Sequence, residues 1–333
     1  MTTPKDDRLV QMDGWPGGVN NRIRETEKDS DVEFLRQALN VDLTADGHPL
    51  RRRGYVLSQA GYAHSVSYQN SLFFVVIDGL LQVGPKATEL TTVATVNKYL
   101  RMSYTVHADE VYFSNSVDSG KYTGAGFEAW PGPNQVFEIH DDEGLELTDN
   151  LYETMPIGQY IASYNGRIWA ANRDVLWFSE GMSTHMCRKA TNYFMMPGYI
   201  WMLMPADGGI YIGTDSNIYF LQGEDPFNME WSGVYAHGVV PFAYTEVAGE
   251  KFGVPDATVP VWWTKDGVMS AGLPNGEVRQ LTRDRLAVPE YGFGALSIRE
   301  REGISQVVSS LQKGGDANNM GATDTVVAEI RSS

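Results

Sequence analysis

Few of the reactive side chains stand at spacings that a reaction needs. The six histidines, His48, His64, His107, His140, His185 and His237, are scattered along the chain and pair with no partner at a metal-ligand interval. No G-x-S-x-G, H-E-x-x-H, phosphate-loop or Cys/His metal pattern is present. Cys187 is the only cysteine, which excludes an internal disulfide and an all-thiolate metal site, and it is expected to be a small buried apolar residue. The acidic stretch EIHDDEGLELTDN, residues 138–150, has enough carboxylates to hold a hard cation, as does Asp42 with Asp46, but neither has EF-hand spacing, and solvated loops are the simpler expectation. A glycoside hydrolase needs carboxylates set across a cleft, or an arginine cluster with a tyrosine nucleophile for sialic acid, and abundant acids and tyrosines identify neither. The reading is therefore of a protein that is not an enzyme, with no catalytic residues, no metal and no cofactor.

Charge narrows the field further. With 42 acids against 26 lysines and arginines, the formal charge is −16. This opposes binding to nucleic acid through phosphate neutralisation. It does not oppose a wall past which DNA slides, because like charge gives a moving polyanion nothing to hold; ordinary solubility explains the same balance. Arg51, Arg52 and Arg53 alternate their directions if they lie on a strand, with Arg51 and Arg53 on one face. In so acidic a chain they are expected to pair with carboxylates of the same or a neighbouring subunit, the alternative being a grip on DNA.

These residues need a scaffold, and the sequence supplies a repeated one. Asn165–Gly181, NGRIWAANRDVLWFSEG, is answered without a gap by Asp207–Gly223, DGGIYIGTDSNIYFLQG. Each opens on a turn pair, continues through Ile and an aromatic, turns again, and ends on a second apolar run (Leu176-Trp177-Phe178, Ile218-Tyr219-Phe220). A strand with one wet face alternates apolar with polar; continuous apolar runs imply cover on both faces. Weaker copies occur at Asn70–Val83, Ala108–Asn115 and Val259–Ala271, at intervals of roughly forty to sixty residues. The fold expected is all-β, a β-propeller-like repeat of antiparallel blades, about five to seven of them; a two-sheet sandwich or barrel is the alternative. An aromatic content of 11%, with 34 Gly and 17 Tyr in 333 residues, suits short strands and tight turns.

In chain order, residues 1–29 read as an extended arm over the surface, anchored by Trp15. A single domain is expected over 30–333. It starts with a short helix, 30–40, opened by the capping box of Ser30 and Glu33. Strands follow from Val41 and from Arg51, and the domain closes with a C-terminal strand, DTVVAEI, expected to pair with the N-terminal strand. Ser116, Asp118 and Gly120 partly match the Asp-box turn of sialidase blades. Pro255 and Pro260 are expected to mark an edge strand around Trp262-Trp263. The segment Ala295–Gly315, ALSIREREGISQVVSSLQKGG, suits either a helix or a strand pair turned at Glu302-Gly303, and the strand pair is preferred. Between the two best repeats lies a stretch rich in Met and aromatics, for which core filling is the default expectation, yet its loop portion from Met182 to Met196 is too apolar to lie free in water. Its Met182, Met186, Tyr193, Phe194, Met195 and Met196 are candidate contacts for a subunit or partner, alongside Trp15 and Arg51 to Arg53. No stretch reaches the length of a membrane span, the start lacks the apolar segment of a signal peptide, and folding in a reducing cytosol is expected.

The segment from Gly17-Gly18 through Asn40-Val41-Asp42, the turn at Gly47, and Leu50-Arg51-Arg52-Arg53-Gly54-Tyr55 resembles the opening of a family of tailed-bacteriophage virion proteins. The stretch LQKGGDANNMGATDTVVAEI resembles their closing segment. The resemblance implies a β-propeller component of the short tail or head-to-tail connector, such as the nozzle, forming a homo-oligomeric ring with other tail proteins around the channel through which DNA is ejected. It also implies location in the virion after synthesis in the host bacterial cytoplasm. A tail propeller that binds or cleaves host-surface glycan is the alternative.

Overall fold

A computed structural model describes residues 19, 22, 41–43, 48–51, 57–131, 152–181, 183–286, 288–301, 304–312 and 324–330. The short helix 30–40, the acidic loop 138–150 and nearly all of the arm lie outside the described residues. The arm is described at Val19 and at Arg22, whose Nε donates to Leu286 O at 3.2 Å, so this point of it rests on the propeller surface.

After a two-stranded ribbon of β1 (Val41–Leu43) and β2 (Pro49–Arg51), five four-stranded antiparallel sheets follow. Blade 1 holds β3 (Ala63–Gln69), β4 (Leu72–Ile77), β5 (Leu80–Gly84) and β6 (Thr91–Thr95). Blade 2 holds β7 (Ser103–His107), β8 (Glu110–Ser114), β9 (Ser119–Tyr122) and β10 (Phe127–Ala129). Next, β11 (Glu153–Thr154) pairs with β15 (Met186–Cys187) beside blade 3, which is β12 (Tyr160–Tyr164), β13 (Arg167–Asn172), β14 (Val175–Phe178) and β16 (Tyr193–Met195). Blade 4 is β17 (Ile200–Ala206), β18 (Gly209–Thr214), β19 (Ile218–Gln222) and β20 (Glu230–Tyr235). Blade 5 is β21 (Val239–Ala248), β22 (Thr258–Thr264), β23 (Met269–Gly272) and β24 (Val278–Gln280). A three-stranded sheet of β25 (Phe293–Arg301), β26 (Ile304–Gln312) and β27 (Asp324–Ile330) then stacks on blade 5. The chain is an all-β, five-bladed propeller arrangement. No helix of the described residues is long and apolar enough to cross a membrane.

Each sequence repeat falls on the second strand of a blade and, in four of the five copies, on the third as well. The turns that introduce those strands explain the pairing. Asp78-Gly79 (φ 51° and 83°) and Asn165-Gly166 (φ 45° and 71°) are left-handed at both central positions, the geometry whose twist matches the flanking strands. Side-chain alternation then sends neighbours to opposite seams. Ile168 and Ala170 pack toward blade 2 with Tyr112, Trp130 and Met155, whereas Trp169 and Ala171 join the core shared with blade 4. Trp262 enters the seam between blades 4 and 5 with Tyr211 and Phe220; Trp263 enters the next one, against Val307 and Leu311 of β26. Each indole removes ~150–250 Å² from water, on the order of 4–6 kcal/mol of apolar burial. Period two thus accounts for the unbroken apolar runs: both faces of each inner blade are core.

Side chains also stitch the innermost strands. Blade 3's first strand runs beside β7 of blade 2, where Ser103 Oγ accepts the Ile161 N–H at 3.1 Å and Thr105 Oγ1 accepts the Ser163 N–H at 2.9 Å. Ser103 is buried, so Ser103→Ala would leave the Ile161 amide without its acceptor. The expected cost is about 1–3 kcal/mol, read as a lower urea midpoint with an unchanged slope.

Two expectations are corrected. The C-terminal strand forms, but it pairs with β26 from Ser305↔Ile330 to Leu311↔Asp324, and not with an N-terminal strand. A meander of sequence neighbours closes a shorter loop than a strand recruited from the start of the chain. Pro260 does not mark an edge: β22 lies between β21 and β23. Pro260 faces Glu246 of β21 just before Val261, where pairing to β23 begins, so its missing N–H interrupts little of the second ladder.

Candidate interaction surface and axial cavity

The predicted contact segment is the outer margin of blade 3. Glu180 N–H to Met186 O at 2.8 Å and Met155 N–H to His185 O at 2.9 Å hold the loop before β16. Beneath it, Asn192 Nδ2 donates to Glu180 Oε1 at 2.9 Å, Lys189 pairs with Glu153 at 2.6 Å, and the Arg188 guanidinium both bonds Tyr152 Oη and lies 4.5 Å from its ring centre. The loop therefore presents β16 in a fixed orientation. Alternation along that strand exposes Tyr193 (40%) and Met195 (62%) and turns Phe194 inward, its ring 6.1 Å from Trp169 and 6.0 Å from Phe178. Tyr193 rests on Trp177, centroids 5.4 Å apart.

Tyr199, just before β17, is also exposed, as are Phe227 and Trp231 at the other end of blade 4. Phe227 meets Phe178 edge-on at 5.6 Å, and Trp231 stands perpendicular to Tyr219 at 5.2 Å, so both rings are braced by blade residues. Among the described residues β16 and β20 are the last strands of their sheets, so these exposed side chains stand beside sheet edges.

The other predicted contact residues divide. Met186 is half-buried on β15 opposite Thr154. Met196 is a correction: it is buried in the core between blades 3 and 4, drawn in where its N–H bonds Asp174 O at 2.8 Å. Arg51 ends β2, opposite Val41. Trp15, Arg52, Arg53 and Met182 lie outside the described residues, as does Asp46. The partial Asp box behaves as a corner: Asp118 Oδ2 accepts the Asn97 N–H at 2.6 Å and the Asn115 amide at 3.0 Å.

Cys187 is buried, and burial pushes its thiol up to about 11, away from reactive thiolate chemistry. His64 bridges Ser65 Oγ (2.7 Å) and Lys98 O (2.9 Å), and His107 bonds Ser163 Oγ at 2.9 Å; burial lowers the pKa of both rings. Each satisfies a local partner. No group of three or more His, Cys, Asp or Glu that could hold a metal ion occurs among the described residues.

Sequence reasoning missed the cavity on the propeller axis, of about 450 Å³, whose lining includes Gln69 of β3, Thr105 of β7, Ser163 of β12, Met204 of β17 and Glu246 of β21. Those residues come from the first strands of all five blades, so nothing short of the ring brings them together. Glu246 lines the cavity and is exposed to its solvent, and the surrounding walls still raise its carboxyl pKa by desolvation. Its native pKa therefore lies above the unfolded value, so its contribution to stability is present at acid pH and is lost as pH rises through the native pKa. Glu246→Gln is expected to raise the urea midpoint at neutral pH and to lose that advantage near pH 4.

Toward the start of these strands, Arg101 crosses the ring. Its Nη1 donates to Gly294 O at 2.6 Å, and its guanidinium lies 4.7 Å from the Phe293 ring and 5.5 Å from the Phe242 ring. It forms no ion pair with an acid among the described residues, and burial lowers its pKa.

No family model matches the chain, and no curated protein matches it. Solved structures with remote likeness include the extracellular domain of a one-component system from B. thetaiotaomicron, at 11% identity and TM-score 0.46, over 82% of this chain and 34% of that one. The N-terminal domain of Nup159 aligns at 13% identity and TM-score 0.45, over 80% of this chain and 75% of that one. The BBS1 N-terminal domain in complex with ARL6 aligns at 10% identity and TM-score 0.45, over 76% of this chain and 74% of that one. The chain thus spans about a third of the first of these. At such values the likenesses carry no functional argument, and the fold rests on the order of the sheets themselves.

Proposed function

We propose that the chain is a structural subunit of a tailed-bacteriophage virion, a ring-forming nozzle or head-to-tail connector protein through whose assembled ring the genome is ejected. The observation that carries this reading is the set of exposed apolar residues on blades 3 and 4: Tyr193, Met195 and Trp231 on the outer strands β16 and β20, with Tyr199 and Phe227 in the segments that lead into β17 and β20. Exposed aromatics and methionine on a fixed edge are what a buried protein contact uses. A heterologous contact of this kind closes into a ring when the subunit rotation matches. The net charge of −16 supports passage of DNA without specific binding. The second reading, a host-glycan-binding tail propeller, is favoured by Trp231 and Tyr199, whose exposed rings offer flat faces to sugars.

Mass photometry of the purified protein and negative-stain imaging of antibody-labelled phage particles test the proposal. Closed rings, with label on the tail axis, are expected. A monomer that binds host envelope glycan and is absent from the tail axis would overturn it and leave the glycan reading.

A further inference from the structure

We infer that the face of blade 1 turned away from blade 2 is a docking surface for a second copy of this chain, and that it mates with the exposed apolar residues of that copy's blades 3 and 4. The inference rests on the ring reading and supplies the other half of its contact: a heterologous interface joins two unlike surfaces, so blades 3 and 4 need a different surface on the neighbouring subunit. Blade 1 has one. Phe74 and Val76 of β4 pack into the cores shared with blade 2, against Val111 and Phe113. Alternation sends Phe73, Val75 and Ile77 to the other face, and strand register sets Tyr68 opposite Phe73 and Leu80 opposite Ile77. Tyr68 is 58% exposed, its ring 4.8 Å from that of Phe73; Leu80 is exposed as well, and so is Val66, two places before Tyr68 on β3.

Placement and charge select this pairing over others. The blades follow one another around the axial cavity in chain order, so blade 1 stands across the axis from blades 3 and 4. Copies can then join in series, each offering blade 1 to blades 3 and 4 of the next. From Ala190 to Glu250, a stretch that includes β16 and the whole of blade 4, there are seven acids and no lysine or arginine. Glu224, Asp225 and Glu230 of this stretch are exposed beside Phe227 and Trp231. From Gly47 to Ile77, a stretch that ends with β3 and β4, there are three arginines and no acid. Blade 4 set against its own copy would oppose acid to acid, which is costly, whereas blade 1 brings no such repulsion.

Native mass spectrometry of two full-chain variants, apart and mixed, tests this, with the wild-type protein as the control for the ring itself. Tyr68→Asp, carrying an affinity tag to mark its mass, blocks blade 1; Met195→Asp, untagged, blocks blade 3. Each alone is expected to be monomeric, its contact weakened about thirtyfold or more. Their mixture is expected to give a 1:1 complex that grows no further, because only one live surface of each kind remains. Val66→Asp serves as a second blade 1 variant, and both blade 1 changes should leave thermal unfolding nearly unchanged, since the side chains are exposed. Rings of wild-type size from Tyr68→Asp and Val66→Asp, or a mixture that stays monomeric, would overturn the inference and leave the ring reading standing. A self-paired dimer of Tyr68→Asp would overturn it as well, by showing that blades 3 and 4 pair with themselves. A monomeric wild-type protein would overturn the ring and this inference together.

Discussion

Trp263→Ala is expected to destabilise the protein by about 3–5 kcal/mol, as deletion of a large core aromatic does. The indole is buried between blade 5 and the last sheet, packed with Val240, Ala243, Val307 and Leu311. Its Nε1 donates to Ser309 Oγ at 2.7 Å, so truncation also leaves a buried hydroxyl without its donor. Trp263→Phe separates the two effects: most of the volume remains, and the lost hydrogen bond alone is expected to cost about 1–3 kcal/mol. Urea unfolding gives the totals. Hydrogen exchange gives the location: amides of β25 and β26 should lose protection first, with those of blades 1 and 2 keeping theirs. Equal acceleration throughout the chain would show that the last sheet is not held as a separate layer.

The second large effect concerns assembly. Met195→Asp, or Tyr193→Asp, is expected to abolish ring formation in mass photometry while leaving thermal unfolding of the subunit nearly unchanged. Both side chains are exposed on β16, so neither contributes much to the core, and surface changes of this type stay within about 0.5 kcal/mol. At a contact, a central aromatic or its neighbour carries about 2 kcal/mol or more, and a buried, unpaired carboxylate adds a penalty of its own. Phe194→Ala is the contrasting variant: that ring belongs to the subunit core, so its loss should lower the melting temperature. Rings that survive Met195→Asp and Tyr193→Asp would place the contact elsewhere.

The blade rhythm was legible because it is local. Asn165-Gly166 and Asp78-Gly79 need left-handed backbone that these residue pairs supply, and the apolar runs beside them record cover on both faces. Even the division of Trp262 from Trp263 follows from alternation once the strand is recognised. What escaped was set by long-range geometry. Pro260 reads as an edge marker, but its effect depends on where the neighbouring strand starts pairing. Met196 reads as part of an apolar loop, although one backbone hydrogen bond to Asp174 turns it into the core. β27 offers β-branched residues suited to many partners, and the nearest one in sequence won. The axial cavity is built from single residues on five separate strands, none unusual in its own segment.

Arg101 and Gly294 are 193 residues apart, and the hydrogen bond between them sets an order of events during synthesis. At about 5–20 residues per second, the guanidinium waits roughly 10–40 s for its carbonyl and for the Phe293 ring to leave the ribosome. Until then, blade 2 carries a cation that has neither its acceptor nor one of its two aromatic neighbours. The side chain that leads into blade 2 therefore reaches its final electrostatic environment only after translation of the last sheet, whatever the order in which the blades themselves form.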